Sequence, residues 1–207
     1  MPDPKKIVER GYDELAEKYL QIRKLEARDI TFINLLFERV SRDGRILDLG
    51  CGSGVPLTRM MAERYIVIGI DISQNQIDLA RKNVPGVEFI KQDMTAITFP
   101  EGSFDAVISY LAILHVPRDE KICLFKNIFK ILKKGGILLM AIGQDDWVSE
   151  PGDELLGTPM YWSQFGTEKT KTILEEIGFE ILHSSVGYGE LDSQEESHLF
   201  LMAGKPQ

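Results

Sequence analysis

Apolar positions in the first forty residues recur at helical spacing. Val8, Tyr12, Leu15, Tyr19 and Ile22 stand four, three, four and three apart, and Ile30, Ile33, Phe37 and Val40 follow at three, four and three. Each set predicts a helix with one apolar face. Ser41-Arg-Asp-Gly44 interrupts this period, and strand-length apolar runs begin. Arg45 to Leu49, Tyr65 to Asp71, Val87 to Ile90, Phe104 to Ser109 and Ile137 to Ile142 each predict a buried strand. Helical stripes separate them. One runs from Pro56 to Glu63, with proline near its first turn. The next is Ile77, Ala80 and Val84, preceded by Ser73 and Gln76 at the spacing of a capping box. A third opens at Pro117, carries Ile122, Phe125, Phe129 and Leu132, and stops at Gly135-Gly136. Lys169 to Ile177 predicts a short helix ended by Gly178, and Phe179 to Val186 and Ser197 to Ala203 predict a final pair of strands.

Strands separated by helices require right-handed crossovers and a parallel sheet covered on both faces, the doubly wound α/β class. No helix separates the last two strands, so they are expected to pair antiparallel at one edge. Gln144 to Gly166 is a long connection rich in aromatic residues, and a loop of that length in a compact domain points to function.

Composition narrows the function classes. The 207 residues hold 24 Lys and Arg against 32 Asp and Glu, a net charge of −8. Residues 144–207 alone carry 13 acidic and 3 basic groups, a solvated acidic face. Binding a nucleic acid requires the opposite balance, and no basic stripe with interleaved aromatics occurs. Cys51 and Cys123 form no C-x-x-C pair and sit in apolar segments, which reads as free thiols in the reducing cytoplasm, with Cys123 on a helix stripe as a core residue. The apolar runs are too short to span a membrane, and Met1-Pro-Asp-Pro-Lys-Lys has no signal-peptide apolar region. His115, His183 and His198 lack metal-ligand spacing, so no metal is expected.

The sharpest chemical motif is Ile46-Leu-Asp-Leu-Gly-Cys-Gly-Ser-Gly54, a strand running into G-x-G-x-G and then a helix. Glycines there let the backbone turn tightly and approach a ligand at a positive helix end. No Lys-Ser or Lys-Thr follows, which excludes a phosphate loop of the G-x-x-x-x-G-K type. The third glycine also falls one residue short of the dinucleotide fingerprint. Asp71 closes the second strand 21 residues after Gly50, placed to accept both ribose hydroxyls of a nucleoside, and Asp93 follows the third strand. Asp48, Asp71 and Asp93 therefore line the carboxyl edge of the sheet. Carboxylates suit a ligand bearing hydroxyls and amines, whereas they would repel a pyrophosphate.

These residues resemble the class I S-adenosylmethionine-dependent methyltransferases, in particular their broad small-molecule group. Leu47 to Gly54, Gly69-Ile-Asp-Ile-Ser73, Gln92-Asp-Met94, Phe104 to Ser109 and Leu132 to Leu138 are similar to that family's successive motifs, over roughly residues 5–145. The resemblance implies a Rossmann-like, mostly parallel seven-stranded sheet with the last strand antiparallel and helices on both faces. It implies one domain over 1–207: an N-terminal helical lid (1–43), a cofactor-binding core (44–143), a substrate-side loop (144–166), and a C-terminal helix and strand pair (167–207). Carried over by position, Gly50, Cys51 and Gly52 would meet the methionine part of S-adenosylmethionine, with Asp48 holding the loop. Asp71 would take the ribose, Ile72 would pack on adenine, Asp93 and Met94 would bind the adenine edge, and Ser109 would lie near the methionine amine. Tyr12, Tyr19 and Arg23 resemble the lid helix that closes over cofactor; a tyrosine stripe at this spacing is also what a core helix shows.

The implied reaction moves a methyl group in line to a small-molecule acceptor. An apolar aromatic pocket favours a transition state in which charge disappears, and Trp147, Tyr161, Trp162 and Phe165 are the candidates to build one. His115, after the fourth strand, is the candidate general base for an acceptor that arrives protonated, against a structural role at a helix start. Ser-Tyr-Leu-Ala after the fourth strand lacks the Asn/Asp-Pro-Pro-Tyr pattern of the DNA amine methylases. Two alternatives stand beside this reading: a non-catalytic S-adenosylmethionine-binding protein acting through a partner on the acidic C-terminal face, and an NAD-dependent dehydrogenase, which the glycine spacing and the carboxylates disfavour.

Overall fold

The computed structural model describes residues 3–24, 26–191 and 194–207. Met1 and Pro2, at the polar start read above, lie outside the described residues. Asp3 caps α1 (Pro4–Ile22), its carboxylate accepting from Lys5 N, and proline takes the first turn where its missing N–H costs nothing. α2 (Ala27–Arg39) follows. Its buried face is Asp29, Phe32, Ile33, Leu36 and Val40, whereas Ile30 of the predicted stripe is exposed. The stripe is thus rotated by about one residue, because the sheet demands the Phe32 and Leu36 side.

The strands and helices then alternate as β1 (Arg45–Leu49), α3 (Leu57–Ala62), β2 (Ile66–Asp71), α4 (Gln74–Asn83), β3 (Glu88–Lys91), β4 (Phe104–Tyr110), α5 (Arg118–Ile131) and β5 (Leu132–Gly143). β5 begins five residues before the predicted run, so Leu132 and the two glycines after it belong to a strand and not to the end of a helix. α5 also turns a different face inward. Lys121, Leu124, Phe125, Ile128 and Ile131 are buried, while Ile122 is exposed. Cys123, read above as core, is exposed as well. The connection predicted over 144–166 is an ordered strap with four two-residue strands, β6 (Trp147–Val148), β7 (Glu154–Leu155), β8 (Thr158–Pro159) and β9 (Ser163–Gln164), in two small antiparallel sheets. α6 (Thr167–Ile177) ends on Gly178 in the left-handed conformation, and β10 (Glu180–Leu191) and β11 (Gln194–Gly204) complete the order.

The main sheet has seven strands in the order β10-β11-β5-β4-β1-β2-β3. β11 is antiparallel to both neighbours and sits between β5 and β10, so the final hairpin inserts its last strand inward and leaves β10 at the edge. The pleat divides the core. Leu47, Leu49, Val107, Leu138 and Met140 join Leu124, Phe125 and Ile128 of α5 and Ile173 and Leu174 of α6 on one face. Ile46, Val67, Ile108 and Leu139 join Phe32, Ile33 and Leu36 of α2 and Met61 of α3 on the other. Both faces of this doubly wound sheet are therefore dry, and its open polar groups gather at the carboxyl ends of β1, β2, β3 and β4. Among the described residues no helix is long and apolar enough to cross a membrane.

Candidate functional site

The strand order reverses between β1 and β4, which leaves a crevice where the chain leaves β1. Gly50 and Gly52 line that exit with φ of +78° and +53°, a region that side chains disfavour. A Cβ on Gly50 would stand 2.2 Å from Ala112 Cβ, so glycine lets the loop pass the segment after β4. Around Gly52, by contrast, only Gln76 Oε1 lies within 4 Å of where a Cβ would sit, at 3.7 Å, and bare backbone faces the crevice.

Two clefts, holding about 520 and 670 Å³ of space that is partly open to solvent, meet at this point. Tyr12, Gly50, Asp71, Ala112 and His115 stand in the walls of both. The first cleft extends over Ile72, Asp93 and Met94 toward Lys5. The second extends past Cys51, Gly52 and Asp48 toward Tyr19, Arg23 and Tyr110.

Two buried carboxylates set the electrostatics. Asp71 takes Gly52 N–H on one oxygen and Ser73 N–H on the other, each at 2.9 Å, so it ties the glycine loop to the start of α4. Burial still pushes its carboxyl up to about 6, against those backbone donors. Asp48 lies deeper and, among the described residues, accepts from Thr58 Oγ1 at 2.6 Å. Burial, with the Asp71 charge adding to it, raises Asp48 to about 7. Asp93 is different. Although burial alone would raise it, the Lys5 ammonium at 2.8 Å and the hydroxyl and N–H of Thr95 hold it below the usual carboxylate range. Lys5 also bridges to Glu120, so the first turn of α1 is tied across the end of the first cleft.

Tyr12 and His115 form the roof shared by the clefts. His115 Nδ1 lies 2.6 Å from the Tyr161 carbonyl, which can only accept, so Nδ1 carries the proton. Nε2 then accepts from Tyr12 Oη at 2.9 Å. Burial drives the imidazole down to about 4, which keeps it neutral, with its Nε2 lone pair available, at any ordinary pH. Tyr19 meets Tyr12 edge to face at 5.8 Å. Arg23 reaches the second cleft but commits its fork to buried Asp29 through two bonds of 3.0 and 2.9 Å, with its guanidinium 5.2 Å over the Tyr110 ring.

The remaining candidates fall in different places. Ser109 is fully buried and donates to Leu49 O, so its side chain is turned from the clefts, whose walls there are Tyr110, Leu111 and Ala112. Leu111 adopts φ +54°, a strained conformation at the exit of β4. Of the aromatic residues in the strap, Trp162 lies 5.8 Å from the His115 ring and stacks on Trp147 at 5.5 Å. Tyr161 contributes its carbonyl to His115 and packs with Tyr12, Tyr19 and Ile72 around Met160. Phe165 packs against the main core beneath Arg118, away from the cleft walls. Lys5, Thr58, Gln76 and the Tyr110–Ala112 segment were not singled out for the site from sequence. Of these only Gln76 bore a signal, its capping-box spacing, and that box is half formed: Ser73 Oγ accepts from Gln76 N, but Ser73 N–H goes to Asp71.

A family model described as a methyltransferase domain matches residues 46–136, from β1 to the early part of β5. A putative methyltransferase, YqeM, of Bacillus subtilis (strain 168) is 29% identical over 168 residues, covering 76% of this chain and 68% of the relative. Phosphoethanolamine N-methyltransferase 1 of Zea mays is 35% identical over 153 residues, 71% of this chain but 26% of the much longer plant enzyme. In fold, the chain superposes over its whole length on 61% of phosphoethanolamine N-methyltransferase 2 of Haemonchus contortus, with a TM-score of 0.77 at 19% identity. The motifs similar to class I S-adenosylmethionine-dependent methyltransferases on sequence thus converge on one crevice of the sheet, and the matched methyltransferase domain, the relatives and the fold together support that family for this chain.

Proposed function

We propose that this protein transfers a methyl group from S-adenosylmethionine to a small-molecule acceptor, using the paired clefts as the cofactor and reaction site. The observation that carries the reading is the junction of the clefts, where Gly50 and Asp71 stand in both walls beneath Tyr12 and His115. The residues present fit this cofactor. Bare backbone at Gly52 admits close approach, and two buried carboxylates with raised pKa values suit a ligand that brings positive charge and hydroxyl donors. A pyrophosphate would meet the same carboxylates unfavourably, which sets the NAD-dependent alternative aside.

In this reading Ile72, the backbone of Met94 and Asp93 would hold the adenine in the first cleft, and Asp71 would accept from the ribose. Gly50, Cys51 and Gly52 would hold the amino-acid end, with Asp48 supporting the loop. Bound there, the cofactor supplies a methyl group already activated by its sulfonium. What the chain's own residues contribute is alignment, worth roughly 7–11 kcal/mol when the geometry is held, and exclusion of water. Tyr12, Tyr19 and Tyr110 wall the second cleft with aromatic surface. Neutral His115, fixed by the Tyr161 carbonyl, accepts from the Tyr12 hydroxyl at Nε2, so the pair can orient an acceptor amine or hydroxyl; held near 4 the imidazole is a weak base, and the acceptor is expected to arrive already deprotonated. The strap brings Trp147, Tyr161 and Trp162 over that dyad, which is the part we assign to selecting the acceptor.

The domain division follows the same lines: residues 1–43 act as the lid, 44–143 as the cofactor core, 144–166 as the acceptor-side strap, and 167–207 as the closing helix and strands. Phosphoethanolamine and related amines are the first acceptors to assay, given the maize and Haemonchus relatives. The free thiols Cys51 and Cys123 support a reducing, cytoplasmic setting. Calorimetric titration with S-adenosylmethionine and, separately, NADH tests the reading. Micromolar binding of the sulfonium compound alone is expected, and Asp71→Ala should weaken it at least tenfold through loss of charged hydrogen bonds. Tight NADH binding, or no binding of S-adenosylmethionine by the folded protein, would overturn it.

A further inference from the structure

Gln76 is the third residue of α4 and only 1% exposed, yet neither its Oε1 nor its Nε2 has a hydrogen-bond partner. A buried amide left unpaired is destabilising, and such groups in a native fold call for an explanation. The capping box does not provide one. Ser73 N–H, the partner that a capping glutamine would seek, is taken by Asp71 Oδ1 at 2.9 Å, and Ser73 Oγ is engaged by Asp13 at 2.6 Å. Gln76 instead stands in the wall of the second cleft, beside Gly52 and Asp71, and takes no part in the first.

We infer that Gln76 is a cofactor-positioning residue whose amide completes recognition of the ribose diol, resting on the proposed use of this crevice for S-adenosylmethionine. The argument for the sugar over the amino-acid end is one of capacity and charge. Each Asp71 oxygen already accepts one backbone N–H and keeps one lone pair, whose direction that bond restricts, so Gln76 Oε1 offers an additional acceptor where a diol presents two donors. A ligand carboxylate at this spot would face Asp71 and Asp48, whereas a hydroxyl faces them without repulsion. An uncharged amide beside two carboxylates is therefore suited to a neutral polyol. Its Nε2 can also donate to a lone pair of one sugar oxygen, fixing which way the diol points.

The test separates binding from scaffold. Gln76→Met keeps length and volume and removes both unpaired atoms. S-adenosylhomocysteine should bind this variant about tenfold more weakly by calorimetry, while the melting temperature of the ligand-free protein stays equal to that of the parent or rises. The second measurement uses 5′-methylthioadenosine and its 3′-deoxy and 2′-deoxy analogues, which carry the sugar and no amino-acid end. Removal of the hydroxyl that Gln76 holds should cost the parent protein several-fold in affinity and cost Gln76→Met almost nothing, whereas removal of the one that Asp71 holds should cost both proteins alike. Equal loss in both proteins for both analogues, or unchanged S-adenosylhomocysteine affinity in the variant, would overturn the assignment of Gln76. Failure of the parent to bind any of these compounds would instead overturn the cofactor reading on which it rests.

Discussion

Asp48 shows most clearly how one side chain can work against the fold and for the site. It is 4% exposed, accepts from the Thr58 hydroxyl, and stands near another carboxylate. Its carboxyl is raised in the folded protein from near 4 to about 7, so folding is favoured by the protonated form: that contribution is complete below about pH 4 and is lost as pH rises through 7. The corresponding cost at pH 8 is roughly 4 kcal/mol as an upper bound. Asp48→Asn should therefore melt several degrees higher than the parent at pH 8 and converge with it toward pH 4, while binding S-adenosylmethionine at least tenfold more weakly. A variant less stable than the parent at pH 8 in thermal melts would contradict this account. At this scale the sequence was informative wherever chemistry is tied to a strand end. The glycine loop, Asp71, Asp93, Tyr12 and His115 all line the clefts because the distance from a strand or the phase of a helix locates them. Lys5 could not be located so, since its partners Asp93 and Glu120 lie 88 and 115 residues along the chain, and the spacing of Gln76 pointed only to a capping role at Ser73, whose N–H is taken by Asp71.

Between residue and molecule, the strap over residues 144–166 is the element whose order was least visible. Its two-residue strands carry no period, and what holds it lies on the 3-10 turn after β4 and on α5. His115 donates to Tyr161 O, Lys121 to Ser163 O, and Arg118 to Gln164 O and to Asp146 at 2.6 Å. Three donors thus grip carbonyls on one short stretch of backbone. Lys121 is almost wholly buried, and burial together with the Arg118 charge lowers it to about 7. A lowered lysine favours the docked strap when neutral, so docking should weaken as pH falls from about 10 to 7. Hydrogen exchange read at constant intrinsic rate is expected to show protection over 144–166 falling several-fold between pH 9 and 7, and Lys121→Met should abolish that slope. His115 does not titrate in this window, being held near 4. A slope that persists in Lys121→Met would show that other groups govern the strap. The helix faces of α2 and α5 teach a related lesson: helical period was legible, but the inward face depends on which side the sheet fills, so Ile30 and Ile122 went to solvent while Phe32 and Lys121 went inside.

For the whole molecule, the alternation of strands and helices pointed to a parallel sheet with right-handed crossovers, the helix-free final pair to an antiparallel end, and the family resemblance to seven strands with the last reversed. What it left open was the position of that last strand inside the sheet. A cofactor bound as proposed, across α1, the glycine loop and the ends of β1 to β4, would link most of the fold to one equilibrium. At a hundred times its dissociation constant, a ligand specific to the native state adds about 2.7 kcal/mol, and for a chain of this size that corresponds to roughly 5–10 °C in melting temperature. Differential scanning fluorimetry with S-adenosylhomocysteine should show a rise of that order; a rise confined to a minor transition would mean that α1 and the core unfold separately.

The insertion of β11 between β5 and β10 also has a history in time. During vectorial synthesis β5 is finished at Gly143, and the strand that will cover its free edge begins only at Gln194. At about 5–20 residues per second the nascent chain carries that apolar edge uncovered for several seconds. Such an edge is a template for pairing with other chains. The strap and α6 are made in that interval, so the segment assigned to choosing the acceptor leaves the ribosome before the last gap in the sheet can close.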